Sequence, residues 1–202
     1  MLSEPERQRI EAAVRRAEAG TAGEIVVVVA RQAASYRSVP LLYGLAAALL
    51  APWPLLLGTE MAAGRIFAVQ LAVALLAMLA TFGADARIAL VPPAVRRARA
   101  REAAAREFAG RGLADTRGRT GVLLYVAEAE RYAEVIGDRA IADRVDAGEW
   151  RRVIEGLVEG IGRGSLAAGL EAAVGQIGAI LARHVPPGSD PSDELPNRVV
   201  LL

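Results

Sequence analysis

The clearest candidates for chemistry in this chain are four acidic residues within one short stretch. They are Asp138, Asp143, Asp146 and Glu149. Hard cations such as calcium are bound by several converging carboxylate or carbonyl oxygens. Glu24 and Glu128 lie at the ends of predicted strands, so both are candidates to join this cluster. The stretch therefore predicts a divalent metal site, although its spacing is not that of an EF-hand loop.

A structural explanation of the same residues stays open. Asp138 and Asp146 each precede a predicted helix, where an aspartate caps free backbone N–H groups. Glu149 would lie in the first turn of the second helix, where negative charge is favourable. Arg139 and Arg144 are interleaved with the acids and can neutralise them. Metal binding and helix capping therefore both remain explanations of the cluster.

Other kinds of site find less support. The chain has no cysteine, which excludes thiolate metal sites and thiol nucleophiles, and His184 is its single histidine. No G-x-S-x-G elbow accompanies this histidine, so we interpret it as structural. The glycine-rich residues 160–165 follow no strand and precede no lysine, so they lack the context of a phosphate-binding loop. The sequence therefore indicates no catalytic residue.

Residues 39–83 form two apolar arms around a short polar break. Each arm is about 20 residues long, the length that a helix needs to cross a bilayer's hydrocarbon. Neither arm contains Asp, Glu, Lys, Arg or His, and the apolar residues surround each arm instead of forming a stripe. We therefore expect a transmembrane helical hairpin, kinked or frayed near Pro52 and Pro54. A hairpin buried inside a soluble protein is the alternative.

The remaining sequence indicates an α/β fold. Residues 25–30 and 122–127 are apolar runs, the first nearly all β-branched, which favours paired parallel strands covered on both faces. Residues 132–136 predict a third strand, antiparallel to the second. Parallel strands need a crossover, and the predicted helix at residues 95–110 can provide it. The membrane hairpin would then lie inside this crossover.

These elements predict a domain that its own anchor interrupts. Residues 1–38 hold only one helix and one strand, so we expect residues 1–38 and 84–185 to form one split domain. Residues 186–202 are rich in Pro, Ser and Asp, and we interpret them as a mostly disordered tail. Two spans would place both pieces of the split domain on the same side of the membrane.

Charge suggests which side this is. The arms are flanked by five arginines, whereas the turn between them has only Arg65. The flanking residues are Arg31, Arg37, Arg87, Arg96 and Arg97. Positive charge is retained on the cytoplasmic side, so we expect both termini in the cytoplasm and the lipid bilayer as a partner. The net charge of the whole chain is +1, which does not favour nucleic acid.

The predicted helix at residues 95–110 is dense in arginine. The arginines are Arg96, Arg97, Arg99, Arg101 and Arg106. They are placed to meet anionic lipid headgroups next to the second arm. The alternative is a solvated face with local ion pairs, because Glu102 lies at helical spacing from Arg99 and Arg106. The sequence supports the two readings equally.

Four features together resemble the TPM domain family. They are the strand GEIVVVV, the helix ending REFAG, the hairpin GVLLYVAEAERYAEVIGD and the helix of Trp150, followed by Gly164, Gly169 and Leu170. The resemblance covers roughly residues 1–38 and 95–183 and is greatest to a bacterial membrane-protein branch. It implies a small α/β sandwich, a mixed sheet between helices, located at the bacterial inner membrane.

The resemblance also implies two functions. Some members bind calcium, for which Asp138 is the best-placed match, and one plant branch has been credited with phosphatase activity. The inserted hairpin and the arginine beside Asp138 depart from the family pattern. We therefore expect a membrane-anchored accessory or scaffolding module for other membrane proteins. The alternative is a divalent-metal-dependent, phosphatase-like enzyme.

Overall fold

The computed structural model describes residues 2–116, 118–187, 196 and 198–202, with residues 84 and 85 described by their backbone alone. The chain divides into two compact units. The α/β unit comprises Met1–Ala33 and Arg99–Leu202, and the hairpin unit comprises Ala34–Ala98. The breaks expected from the sequence, at residues 38 and 84, lie close to the first of these boundaries and before the second.

The α/β unit contains four helices and four strands within its described residues. They are α1 (Glu4–Glu18), β1 (Glu24–Ala30), β2 (Gly121–Ala127), β3 (Tyr132–Gly137), α7 (Arg139–Ala142), α8 (Ala147–Gly162), α9 (Leu166–His184) and β4 (Val199–Leu201). The hairpin unit contains α2 (Ser38–Leu50), α3 (Pro52–Gly58), α4 (Ala63–Ala80) and α5 (Ala84–Ala89). Helix α6 (Pro93–Gly110) begins in the hairpin unit and continues into the α/β unit.

The sheet has the strand order β3-β2-β1-β4. β1 pairs in parallel with β2 along its whole length, from Glu24 opposite Gly121 to Ala30 opposite Ala127. β3 pairs antiparallel with β2. Every residue of β1 and β2 is buried, as expected for β-branched and apolar strands covered on both faces. The predicted mixed sheet is therefore confirmed.

Helices cover both faces of the sheet. Ile25 and Val27 point to a core that α1, α8 and α9 complete, whereas Val26 and Val28 point to a second core under α6. Successive strand residues alternate between the two faces, so one apolar run fills both cores. The alanines of α6 that face the sheet, such as Ala104, allow this helix to lie close to it.

Helices α1 and α9 approach each other closely. A Cβ atom built on Gly178 would lie 2.6 Å from the Cβ of Ala17, which is shorter than any ordinary contact. Gly175, in the same helix, is exposed and a Cβ there would meet nothing within 4 Å. The absence of a side chain at Gly178 is therefore what permits the two helices to pack at this distance.

The end of the chain differs from the predicted disordered tail. Val199–Leu201 forms β4, which pairs in parallel with Val27, Val28 and Val29 of β1. Val199 is buried in the core that α1, α8 and α9 complete. Its strand also covers the edge of β1 that would otherwise have no partner strand. The expectation was therefore wrong for β4, while residues 188–195 and 197 lie outside the described residues.

The hairpin unit folds the two predicted arms as helices. α2 and α3 meet at Ala51, whose dihedral angles remain helical, so the prolines divide the first arm without ending its course. A short connection at residues 59–62 leads into α4. α4 packs on α2 where Gly44 faces Met78. The hydroxyl of Tyr43 donates a hydrogen bond of 3.1 Å to the carbonyl oxygen of Leu90.

Three helical segments in the described part of the chain are long and apolar enough to cross a membrane. They are Ser38–Gly58, Ala63–Ala80 and Leu166–His184. Only 6% of the apolar window is buried in each of the first two, compared with 50% in the third. By length and composition the chain therefore has the segments of a membrane-associated protein, and α9 differs from the others because it packs within the α/β unit.

Replacing Gly178 by alanine should destabilise the α/β unit, because the added methyl group would overlap Ala17. We expect the free energy of unfolding to fall by about 1–3 kcal/mol, measured by denaturant titration of the full chain in detergent. The matched control is Gly175→Ala, which should leave stability unchanged or raise it by up to about 1 kcal/mol. Equal effects of the two substitutions would contradict the close packing of α1 on α9.

Candidate functional site

Two buried carboxylates lie at the same end of the sheet. Glu24 begins β1 and is paired with Gly121, and the N–H of Asp138 donates a 2.8 Å hydrogen bond to the carbonyl oxygen of Gly121. Glu24 and Asp138 are each 8% exposed. Gly121 pairs with Glu24 on one side and accepts the hydrogen bond from Asp138 on the other, so the two acids flank this glycine. We call Glu24 and Asp138 the strand-end pair.

Gly121 leaves a space between the two acids that the loop after α6 occupies. A Cβ atom built on residue 121 would lie 2.4 Å from the backbone carbonyl oxygen of Leu113, so only glycine fits there. Neighbouring strands are about 4.8 Å apart, so the backbones of the strand-end pair are about 10 Å apart. The carbonyl oxygen of Leu113 therefore lies beside Gly121, the residue between the two acids.

The two carboxylate oxygens of Asp138 have different surroundings. Its Oδ1 accepts a hydrogen bond of 2.7 Å from the N–H of Arg139 and caps α7, as the sequence predicts. Its buried Oδ2 has no hydrogen-bond partner among the residues that the structure describes. A buried carboxylate oxygen without a partner is costly, because it has lost its water. Asp138 is therefore the predicted metal ligand whose surroundings best suit a cation.

The other predicted ligands make different contacts. Asp146 caps α8, its Oδ1 accepting a hydrogen bond of 2.7 Å from the N–H of Gly148. Asp143 ends α7 at the surface. Glu128 follows the last residue of β2, so it lies at the opposite end of that strand from the strand-end pair. The structure thus places Glu24 and Asp138 at the same end of the sheet and Glu128 at the other end.

Glu149 joins the start of α8 to the end of α9. Its Oε2 lies 2.6 Å from the guanidinium of Arg183 and its Oε1 lies 3.1 Å from Nε2 of His184. The Glu149 side chain is 14% exposed, so this ion pair is partly shielded from water. The interpretation of His184 as a structural residue agrees with this position, and the packing of α8 on α9 accounts for both side chains.

The strand-end pair is the best fit to a hard cation. No group of three or more His, Cys, Asp or Glu side chains able to hold a metal occurs in the described ranges. Calcium also takes backbone carbonyl and water oxygens, so the pair and the Leu113 carbonyl are of the right chemical type. Only two carboxylates contribute, which favours weak binding. The four-residue metal site stays a prediction, with Asp138 as its one buried member.

Two tyrosines lie under α6 near this face of the sheet. Burial raises the pKa of Tyr125 to about 12, with the charges of Glu130 and Glu107 acting in the same direction. Burial also raises the pKa of Tyr132, as does the hydrogen bond of 2.7 Å that its hydroxyl donates to Glu134. Both phenols are therefore protonated near neutral pH, and neither supplies a phenolate base.

The arginines of α6 do pair locally, as one of the two predictions requires. Arg99 lies 3.6 Å and Arg106 lies 3.9 Å from the carboxylate of Glu102. All three side chains are more than half exposed. Ion pairs between exposed side chains contribute little, so these contacts leave the arginines accessible to other anions.

One surface feature was not predicted from the sequence. An open groove of about 670 Å³ runs between α1 and α9, and small residues form most of its lining. Ala168, Ala172, Gly175 and Ala179 are exposed along α9 at spacings of three and four residues. This spacing could have indicated the groove, but the sequence does not reveal that α1 lies alongside.

Comparisons with known proteins agree with the fold. No curated protein sequence matches the chain. A solved structure that does match is the NMR structure of the BA42 protein from the psychrophilic bacterium Bizionia argentinensis. It shares 20% sequence identity with a TM-score of 0.63, covering 100% of this chain and 96% of that one. At this identity the similarity shows a common fold.

A family model gives the more specific result. The model of the TPM domain matches residues 68–180, which is more than half of the chain. The match starts within α4, includes Asp138 and ends within α9. These boundaries contain β2, β3 and the helices that follow them, where the sequence resemblance is most specific. The chain belongs to the TPM domain family.

Proposed function

We propose that this chain is a membrane-anchored accessory or scaffolding module for other membrane proteins, from a bacterial membrane-protein branch of its family. The observation that carries the proposal is the outward-facing apolar surface of the hairpin unit. Leu57, Leu79 and Phe82 are 84%, 72% and 73% exposed. Apolar surface in water costs about 25 cal/mol for each Å², so such side chains favour lipid as their surroundings.

The lengths of the helices suit this role. The segment Ser38–Gly58 has 21 residues and Ala63–Ala80 has 18. At 1.5 Å for each residue they extend about 32 Å and 27 Å, which is comparable with a hydrocarbon core of about 30 Å. A helix also satisfies its own backbone hydrogen bonds, as the interior of a bilayer requires.

We propose two spans instead of three. Half of the apolar window of α9 is buried inside the α/β unit, where Leu170, Ile177 and Leu181 fill the core beneath the sheet. Moving α9 into lipid would remove these side chains from that core. The residues that α9 does expose are mostly small or polar, such as Ala172 and Gln176, and they offer lipid little apolar surface.

Charge supports a cytoplasmic location for the α/β unit. The residues flanking the two apolar segments carry five arginines, whereas the connection between the segments is followed by Arg65 alone. This asymmetry is the one that places loops in the cytoplasm. The bacterial inner membrane, with both ends of this chain inside the cell, is the location that best fits it.

The accessory role is supported by the structural contacts of four polar residues of types that hydrolytic enzymes use. Asp146 and Ser165 cap helices, and Glu149 and His184 join α8 to α9. Side chains that a hydrolytic mechanism would use are thus engaged in holding the α/β unit together. A protein built in this way can offer a surface to membrane proteins without performing chemistry on them.

This proposal predicts how the tagged full chain behaves in its native cells. It should sediment with membranes, resist extraction at alkaline pH because its helices are in lipid, and purify in mild detergent with a reproducible membrane-protein partner. Quantitative mass spectrometry against an untagged strain measures the enrichment. A chain that is extracted without detergent contradicts the anchor, and one that purifies alone contradicts the accessory role.

One observation favours a second candidate function, a divalent-metal-dependent, phosphatase-like enzyme. The strand-end pair is buried, and Oδ2 of Asp138 has no hydrogen-bond partner in the part of the chain that the structure describes, which suits a bound cation. A cation held there would stabilise negative charge on a phosphate ester. The cation site is the part of this alternative to test first.

Calcium binding can be separated from helix capping by exchanging aspartate for asparagine. Asparagine caps a helix as well as aspartate does but lacks the charge. Saturating calcium should raise the unfolding temperature of the unmodified protein, since 100-fold excess over Kd contributes about 2.7 kcal/mol. Asp138→Asn should remove this shift, and Asp146→Asn, at an exposed cap, should keep it. An unmodified protein that calcium does not stabilise, or an Asp138→Asn variant that still responds, would exclude the site.

A further inference from the structure

Helix α6 presents one side to the sheet and the other to its surroundings. Ala100, Ala103 and Ala104 are buried against the strands. Ala105 and Ala109 lie on the opposite side and are exposed. At 100° for each residue, these two positions lie near the middle of the outward side, as does the exposed Glu102 one turn earlier. The centre of that side is therefore small and apolar along the last turns of the helix.

Arginines border this apolar strip on both flanks. Arg99 and Arg106, seven residues apart, lie along one flank, and Arg101 lies along the other. Their side chains are 59%, 65% and 78% exposed. Arginine stems can cover apolar surface while their guanidinium groups extend to phosphates. We call Arg99, Arg101 and Arg106, with Ala105 and Ala109, the arginine face.

The acids nearby do not cancel this charge. Glu102 lies within the outward side and pairs with Arg99 and Arg106 at 3.6 Å and 3.9 Å, but it is 61% exposed. Arg101 is 4.0 Å from Glu134, which is the limit of an ion pair. Three guanidinium groups face one acid on the outward side of the helix, so the face keeps net positive charge.

We propose that the arginine face rests on the anionic headgroups of the lipid bilayer that holds the hairpin unit. This inference rests on the proposed membrane anchor. Two observations favour the bilayer as the partner of this face. The first is charge complementarity. The second is the length of the chain, because residues 81–92 connect α4 to α6 and can span at most roughly 40 Å. Guanidinium groups bind phosphate through paired hydrogen bonds, and a negatively charged leaflet attracts clustered basic residues.

The absence of cysteine from the chain permits a direct test. A single cysteine at Ala105, labelled with an environment-sensitive fluorophore, reports the surroundings of the arginine face in the reconstituted full chain. In vesicles of phosphatidylcholine with phosphatidylglycerol the emission should shift to shorter wavelength, and in pure phosphatidylcholine it should not. The shift should decrease as salt is added, because salt screens charge at a surface.

Matched variants give the control. Changing Arg99, Arg101 and Arg106 together to glutamine should remove the shift. The control variant changes three exposed arginines of α8 and its C-terminal end to glutamine, namely Arg151, Arg152 and Arg163. It should retain the shift, because these residues lie away from the arginine face. A shift that is equal in both lipids, insensitive to salt or retained in the first variant overturns the proposal. Resistance to alkaline extraction, measured on the same vesicles, reports the anchor separately, so loss of the anchor and loss of the headgroup contact are distinguishable.

Discussion

The parallel pairing of β1 with β2 is the constraint on which the rest of this protein depends. Parallel neighbours cannot be joined by a tight turn, so the chain must leave the end of β1 and return to the start of β2. In this chain that crossover contains the whole hairpin unit and α6. Whatever environment the hairpin occupies, the residues before it and after it must complete the same sheet.

The same pairing assembles the candidate site. Register places Glu24 opposite Gly121, and the β2–β3 hairpin places Asp138 on the other side of that glycine. Two acids more than a hundred residues apart in the chain thus flank one glycine, and the carbonyl oxygen of Leu113 lies beside that glycine. A cation site, if Asp138 takes part in one, is therefore a property of the sheet and not of the acidic stretch alone.

Local features of this fold could be predicted from the sequence and long-range ones largely could not. The caps Asp138 and Asp146 act through residues within two positions of themselves, and both are confirmed. The strands could be predicted because apolar runs rich in β-branched residues are typical of strands that are covered on both faces. In contrast, the contact of Glu149 with His184 spans 35 residues, and it depends on how α8 packs on α9.

β4 is a second element that depends on long-range contacts and was not predicted. Its three residues are too few for any periodicity, and its pairing depends on an open edge of β1 that only the folded sheet creates. The composition of the preceding residues suggested disorder, and the apolar run from Val199 to Leu202 is too short to predict a strand by itself. The groove between α1 and α9 was missed for a similar reason, since each helix supplies only half of it.

We propose that one domain, interrupted by a membrane hairpin, rejoins on the cytoplasmic side. Because the chain is free of cysteine, single cysteines at Glu60, in the connection of the hairpin, and at Asp143, in the α/β unit, can be probed separately. Both positions are exposed. In intact spheroplasts an impermeant maleimide should label Glu60→Cys alone, and Asp143→Cys only after permeabilisation. Labelling of Asp143→Cys in intact spheroplasts, or protection of Glu60→Cys, would contradict the account.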